Sequence, residues 1–139
     1  MRRTVRGLRT LPAALAVASL ALASCGTAGR EDDAAGVAQA FYAAIERGDG
    51  SAACAKLNEE AAAKLEHDEA EPCDEAILQL GLPKAGRAEG KRVYITSAWV
   101  RLAGGGITFL DEGPDGWKVT ATGCDPTSPD RPYDCELEA

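Results

Sequence analysis

The stretch FYAAIERGD, residues 41–49, decides how the first half of the chain folds. Its apolar residues continue a pattern that begins at Val37, and their spacing of three and four predicts one apolar face of a helix. The members of this face are Val37, Ala40, Phe41, Ala44 and Ile45. Gly48 comes directly after this pattern and predicts the end of the helix, because glycine readily adopts the left-handed conformation that follows a helix.

Further helical stretches follow this first helix. Asp49 or Ser51 is placed to cap a second helix, and Asn58 is placed to start another turn after it. The stretch EPCDEAILQLG, residues 71–81, predicts the last helix, because proline suits a first turn and glycine suits a helix end. The next segment, 82–90, contains proline and glycine and is predicted to be a connector.

The second half of the chain predicts an antiparallel sheet. The stretch RVYITSAWVRL, residues 92–102, is rich in β-branched and aromatic residues and predicts the first strand. The stretches ITFLDE (107–112) and WKVTATGC (117–124) predict two more strands, each after a glycine-rich turn. A last short strand is predicted at 133–137. Helices followed by an antiparallel meander make an α+β fold, which we expect to form a single domain over residues 34–139.

The N-terminus has the pattern of an export signal that ends in a lipid-attachment site. Residues 1–24 carry four arginines and no acid, followed by an uncharged apolar run. This run is shorter than the roughly 20 apolar residues of a membrane-spanning helix. It ends in LASC, residues 22–25, which resembles the lipobox of bacterial lipoproteins. The resemblance implies that Cys25 takes a diacylglycerol, becomes the new N-terminus and anchors the protein on the outer face of the bacterial cytoplasmic membrane.

The charge of the remaining chain bears on its partners. Without residues 1–24 the chain has 11 basic and 22 acidic residues, a net charge of −11. Such an acidic chain argues against nucleic-acid binding, which needs a basic face. The small and charged residues after Cys25 predict a flexible tether through residue 33, which would hold the domain close to the lipid bilayer.

The cysteines predict two disulfides. Four cysteines remain besides Cys25, and an even number outside the cytoplasm is typical of disulfide pairing. Of the three possible pairings we favour Cys54–Cys73 with Cys124–Cys135, because each joins cysteines that are neighbours along the chain. A metal site that combines His67 with Cys54 and Cys73 is disfavoured, since there is no Cys-x-x-Cys pair and only one histidine. No cofactor is predicted.

Three features together resemble the nuclear-transport-factor-2-like, or cystatin-like, cone fold. They are the helix FYAAIERGD with an alanine-rich helix after it, a hairpin around an Asp-Gly turn, and a strand that begins GWKVTATGC. The resemblance covers residues 34–139, and the ending GCDPTSPDRPYDCELEA is similar to that of small actinobacterial lipoproteins of this type. It implies that a curved antiparallel sheet wraps the long first helix. The fold hosts isomerases, cyclases, dehydratases and non-catalytic modules, so it does not decide the function.

A pocket in such a cone would be lined by aromatic and acidic residues. The candidates are Phe41, Tyr42, Trp99, Asp111 and Trp117. Enzymes of this fold place acids, tyrosine or histidine inside the cone, where burial shifts the pKa. Tyr94 and His67 are further candidates of these residue types, but His67 lies in the acidic stretch LEHDEAE and is expected to be exposed.

These residues form no convincing catalytic set. The leading hypothesis is therefore a non-catalytic, membrane-anchored module that binds an envelope protein or a small apolar ligand. The alternative is a small isomerase- or cyclase-like enzyme that uses Tyr42 and Asp111. An open cavity lined by both would favour the enzyme, and a cavity filled by Phe41, Trp99 and Trp117 would count against it. A third hypothesis is a structural partner in an envelope complex, which an apolar patch on the outer sheet face would support.

Overall fold

Four helices precede five strands in the computed structural model, which describes residues 25–127 and 133–139. The helices are α1 (Cys25–Glu46), α2 (Gly50–Cys54), α3 (Glu59–Glu69) and α4 (Cys73–Gln79). The strands are β1 (Ala88–Tyr94), β2 (Ser97–Leu102), β3 (Gly106–Gly113), β4 (Gly116–Cys124) and β5 (Leu137–Glu138). They form one sheet in the order β1-β2-β3-β4-β5, with antiparallel neighbours throughout. The predicted α+β class is therefore confirmed. The predicted signal peptide, residues 1–24, lies outside the described residues.

The backbone of Gly48 closes the C-terminus of α1. Its amide donates to the carbonyl of Ile45 at 2.9 Å, and the amide of Asp49 donates to that of Ala44 at 2.9 Å. Gly48 has a φ of 70°, so the two bonds make a Schellman motif, and the predicted helix end at Gly48 is confirmed. The side chains of Asp49 and Asn58 then cap α2 and α3. Of the two residues predicted as caps for the second helix, Asp49 is the one that caps it, and Asn58 begins the next helix as predicted.

α1 packs across one face of the sheet and contacts β1 to β4. Phe41 and Tyr42 are fully buried there. Small residues of the helix, whose size lets it lie close to the strands, are buried beside them: Ala34, Ala35, Ala38 and Ala44. Val37 and Ala40, predicted to face the core, are only half-buried. The buried face of α1 is thus rotated towards Tyr42 relative to the face that the sequence pattern predicted.

α1 begins at Cys25, so residues 26–33 are helical and the predicted flexible tether is wrong. The Arg30 guanidinium donates to the Glu112 carboxylate and to the carbonyl of Ile95, and both acceptors belong to the sheet half of the chain. These partners are distant in sequence, so the composition of the segment could not reveal them. The first four residues after Cys25 remain exposed.

The stretch 92–102, predicted to be one strand, is instead a hairpin of two strands. Tyr94 ends β1 and Ser97 begins β2, which leaves Ile95 and Thr96 as a two-residue loop. Because β-branched and aromatic residues are typical of strands, they concealed this turn. β1 also takes in the end of the segment that was predicted to be a connector.

A bulge in β4 places alternate apolar residues of this strand on opposite faces of the sheet. Leu110 pairs with Val119, but its neighbour Phe109 pairs with Ala121, so β4 carries one extra residue there. Trp117 and Val119 consequently lie in the core beneath α1. Ala121 belongs to a second apolar cluster, on the outer face of the sheet.

Both favoured disulfides are present. Cys54–Cys73 joins the end of α2 to the start of α4, with a sequence separation of 19. Cys124–Cys135 joins the end of β4 to the segment before β5, with a separation of 11. The residues 128–132 of the loop that it closes lie outside the described part. The two bonds fasten the short elements that have little core of their own.

Candidate functional site

The residues predicted to line a pocket lie on opposite faces of the sheet. Those between α1 and the sheet, each with 5 % exposure or less, are Phe41, Tyr42 and Trp117. On the outer face, Trp99 packs in a cluster with Phe109. Asp111 is also on that face, where it is exposed and accepts a hydrogen bond from Ser97 at 2.7 Å. Tyr42 and Asp111 therefore do not line a common cavity.

The Tyr42 hydroxyl takes part in a buried chain of hydrogen bonds. The Tyr42 hydroxyl has one proton, which it donates to the carbonyl of Gly105 at 2.9 Å. The Thr122 hydroxyl, also at 2.9 Å, must therefore donate to Tyr42. Thr108 completes the chain at 2.8 Å from Thr122. Burial raises the pKa of the Tyr42 phenol above its ordinary 10.0, and the hydrogen bonds from the threonines oppose that rise only in part. This arrangement stabilises a neutral phenol.

Tyr42→Phe should lower the free energy of unfolding by about 1–2 kcal/mol at neutral pH, because it leaves buried hydrogen-bond partners unsatisfied. The stability gap between the two proteins should then narrow as the pH rises above 10.0, the ordinary phenol pKa. A group whose pKa is raised by folding contributes stability that is complete below its unfolded pKa and is lost as the pH passes the folded pKa.

Urea unfolding of both proteins at a series of pH values from 7 to 11.5 measures this gap. The other tyrosines are present in both proteins, so their titration cancels in the comparison. A gap that stayed constant over the whole series would contradict the buried, neutral phenol.

Trp117 marks the edge of the core that opens to solvent. The Arg30 guanidinium lies over its ring, 5.6 Å from the ring centroid. Its indole Nε1 is buried, and within the described residues it has no hydrogen-bond acceptor. A buried donor without a partner is unfavourable by about 1–3 kcal/mol, so this N–H is a locally unfavourable point in the core.

A cleft of about 570 Å³ opens beside Trp117, between α1 and the turn that joins β3 to β4. Its acidic lining residues are Asp32, Asp33, Glu112 and Asp115. Its basic lining residues are Lys56 and Lys118, and its apolar floor consists of Val37, Ala40 and Trp117. Charges of both signs around an apolar floor suit a small polar ligand or a peptide segment that carries both charges.

The turn between β3 and β4 also borders a second cleft, of about 400 Å³. The two clefts share Asp115, Gly116 and Lys118. The Lys118 ammonium donates to the carbonyl of Ala55 at 2.6 Å and so ties this turn to the helical half. We name the first cleft, beside Trp117, the turn cleft.

Sequence reasoning missed most of the turn cleft. It placed Asp32 and Asp33 in a flexible tether, and Glu112 in a strand without any special role. Trp117 is the one residue of the predicted pocket that lines this cleft in the described part of the chain. The Asp-Gly turn was the only local signal, because the other residues meet only after α1 has packed on the sheet.

The outer face of the sheet carries a separate apolar cluster. Its members are Trp99, Ile107, Phe109, Ala121, Cys124 and Cys135. Tyr133 packs its ring edge-on against Phe109 at 5.2 Å and is itself 43 % exposed. Within the described residues this face is therefore apolar and only partly covered, which is a property of protein-binding surfaces.

The remaining candidate residues do not assemble into a site. His67 is exposed on α3, as expected. Cys54 and Cys73 are bonded to each other, which overturns the three-ligand metal hypothesis that included them. Over residues 25–127 and 133–139, no group of three or more His, Cys, Asp or Glu side chains is placed to hold a metal ion.

Comparison with models of protein families finds no match for this chain. Neither the curated proteins nor the solved structures match it. Within its described residues, no helix is both long enough and apolar enough to cross a membrane. The resemblance to the cone fold therefore stays a prediction, and a function can be inferred only from the residues of the site.

Proposed function

We propose that this protein is a lipid-anchored, extracytoplasmic module that binds a ligand or partner without catalysing a reaction. The observation that supports this proposal most is which of the five cysteines are paired in disulfides. Two disulfides take four of them, so Cys25 has no cysteine partner within the chain. Cys25 is also the residue that the lipobox pattern marks for acylation, on the outer face of the cytoplasmic membrane.

The turn cleft is the binding site that we propose. Its charges of both signs around an apolar floor support a small polar ligand or a peptide segment that carries both charges. We also propose that the domain has the cone-like architecture of the nuclear-transport-factor-2-like fold. The packing of α1 across a five-stranded meander supports this architecture.

The isomerase- or cyclase-like alternative gains no support from its two candidate residues. The Tyr42 hydroxyl is already engaged with Gly105 and Thr122 inside the core. Asp111 is exposed on the other face of the sheet and bonded to Ser97. A general acid and a general base must reach the same substrate, so this pair favours a non-catalytic role.

Cys25→Ala should abolish lipid attachment in the expressed full-length protein. Wild-type protein extracted from bacterial membranes should enter the detergent phase of a Triton X-114 separation. Its intact mass should equal that of residues 25–139 plus a diacylglyceryl group, with or without a further acyl chain. The variant should carry no lipid mass, because only the thiol accepts the diacylglycerol.

Thr27→Ala is the matched control, since it changes an exposed residue in the same helical turn and leaves the cysteine in place. It should behave as wild type. A wild-type protein without lipid mass would refute the anchor. Native mass spectrometry of the same oxidised protein then tests for a bound ligand. A small molecule retained on the protein would support binding in the turn cleft. Protein without any bound molecule would instead favour the outer apolar face of the sheet as the binding surface.

A further inference from the structure

The loop between β1 and β2 exposes apolar side chains at its tip. Ile95 is 86 % exposed and Tyr94 is 60 % exposed, the two highest values among the large hydrophobic residues of the described chain. They are adjacent, and with Thr96 they form what we call the hairpin tip. An isolated exposed apolar residue needs no explanation, but two neighbours at the end of a projecting hairpin form a compact apolar contact point.

Ile95 is also a poor residue for the turn in which it lies. It has a φ of 52° and is the first of the two loop residues. Ile95 has a positive φ and Thr96 does not, which is the pattern of a type II′ loop, and that loop takes glycine at its first position. A β-branched residue is strained in that region. A residue that breaks the local rule and is also exposed indicates a role beyond the turn itself.

The hairpin tip lies at the same end of the domain as Cys25. The Arg30 guanidinium on α1 donates to the carbonyl of Ile95. Cys25 is five residues before Arg30 on the same helix, a distance of about 8 Å along the axis at 1.5 Å per residue. The opposite turn of the meander, at Gly105, contacts Tyr42 near the other end of α1.

We propose that the hairpin tip is a second membrane contact, which inserts Ile95 and Tyr94 into the interface of the bilayer that holds the lipid anchor. This inference rests on the proposed acylation of Cys25. Tyrosine is enriched at membrane interfaces because its ring is apolar and its hydroxyl can stay hydrated. The tip needs little affinity of its own, since the anchor already holds it beside the bilayer.

The charges around the tip point to an apolar contact rather than an electrostatic one. Arg30 is paired with Glu112, and Lys91 is paired with Asp32. Arg92, two residues before Tyr94, is exposed, but a single arginine falls short of the cluster of about four to eight basic residues that marks a segment binding anionic lipid. Insertion should therefore not require anionic lipid in the vesicles.

Ile95→Trp in the acylated full-length protein tests the contact. The protein is reconstituted into phosphatidylcholine vesicles, with or without phosphatidylglycerol, and with brominated acyl chains as quenchers. After subtraction of the wild-type signal from Trp99 and Trp117, the added emission should shift to the blue and be mostly quenched. Leu78→Trp, exposed on α4 away from Cys25, is the matched control and should show neither effect.

The outcomes separate this inference from the proposed function. Lipid mass on the protein together with unquenched I95W emission would overturn the membrane contact alone and favour a protein partner for the tip. Absence of lipid mass from the wild type would overturn both. Quenching that required phosphatidylglycerol would contradict an apolar contact.

Ile95→Gly provides an independent measurement of the strain at the tip. Glycine adopts the positive φ without penalty, so the melting temperature of the variant should rise by about 5 °C for a domain of this size. An unchanged or lower melting temperature would remove the premise that isoleucine is unfavourable for the turn, and would overturn the argument for a role beyond it.

Discussion

Gly50→Ala should lower the free energy of unfolding by about 3 kcal/mol, the upper part of the range for overpacked sites. Gly50 is buried at the start of α2, where the chain passes directly against α4. A β-carbon at this position would lie 1.8 Å from the carbonyl oxygen of Asp74 and 2.9 Å from its α-carbon. Both atoms are backbone, so the clash can be relieved only if α2 and α4 move apart.

Gly36→Ala is the matched control for Gly50→Ala, because both change a glycine to alanine within a helix. Gly36 is exposed on α1, and a β-carbon there meets no atom within 4 Å. This change should stabilise the protein by about 0.5–1 kcal/mol, since alanine restricts the unfolded chain more than glycine does. Urea unfolding measures both variants, and a Gly50→Ala variant as stable as wild type would show that the two helices are not in close contact.

Removal of the Cys54–Cys73 disulfide, by the double change to alanine, should lower the free energy of unfolding by about 3 kcal/mol. The bond closes a loop with a sequence separation of 19 and so limits the freedom of the unfolded chain. α2 has only five residues and α4 only seven, and helices this short have little stability alone. Urea unfolding of the oxidised proteins gives the difference.

The same α2–α4 junction contains the disulfide and Gly50, so the two changes should not be additive. Once the bond is absent, α4 can move away, and Gly50→Ala should destabilise the protein less than in the oxidised wild type. The matched comparison combines Gly50→Ala with removal of the Cys124–Cys135 disulfide. This disulfide lies at the end of β4 and outside the α2–α4 junction, so the two losses of unfolding free energy should add. Additivity in both combinations would contradict a shared junction.

Local chemistry made the helix ends and the disulfides predictable. Gly48, Asp49 and Asn58 act on neighbouring backbone groups, so their residue types predict their roles without knowledge of the tertiary fold. The cysteine partners are also close in sequence. The α+β class followed from the same local patterns, because helical and strand stretches occupy separate halves of the chain.

Most of the errors have tertiary causes. The helix over residues 26–33 contains Arg30, whose hydrogen-bond partners Ile95 and Glu112 lie 65 and 82 residues away. The hairpin at Ile95 was hidden because its turn contains residues that favour strands. The bulge near Ala121 is set by pairing with β3. The turn cleft unites α1 with the turn between β3 and β4, so only Trp117 could be proposed from its residue type.

The two disulfides have a consequence for the order of events in the export that we propose. Each cysteine of the domain is bonded to its nearest cysteine neighbour, with separations of 19 and 11 residues. A chain that emerges N-terminus first can therefore close Cys54–Cys73 before any strand has crossed the membrane. The second pair comes within reach only after the sheet segments have followed. Among these four cysteines the correct partner is in each case the next to follow, so with the Cys25 thiol acylated as proposed, oxidation in the order of synthesis forms the native pairs and leaves little need of an enzyme that reshuffles wrong bonds.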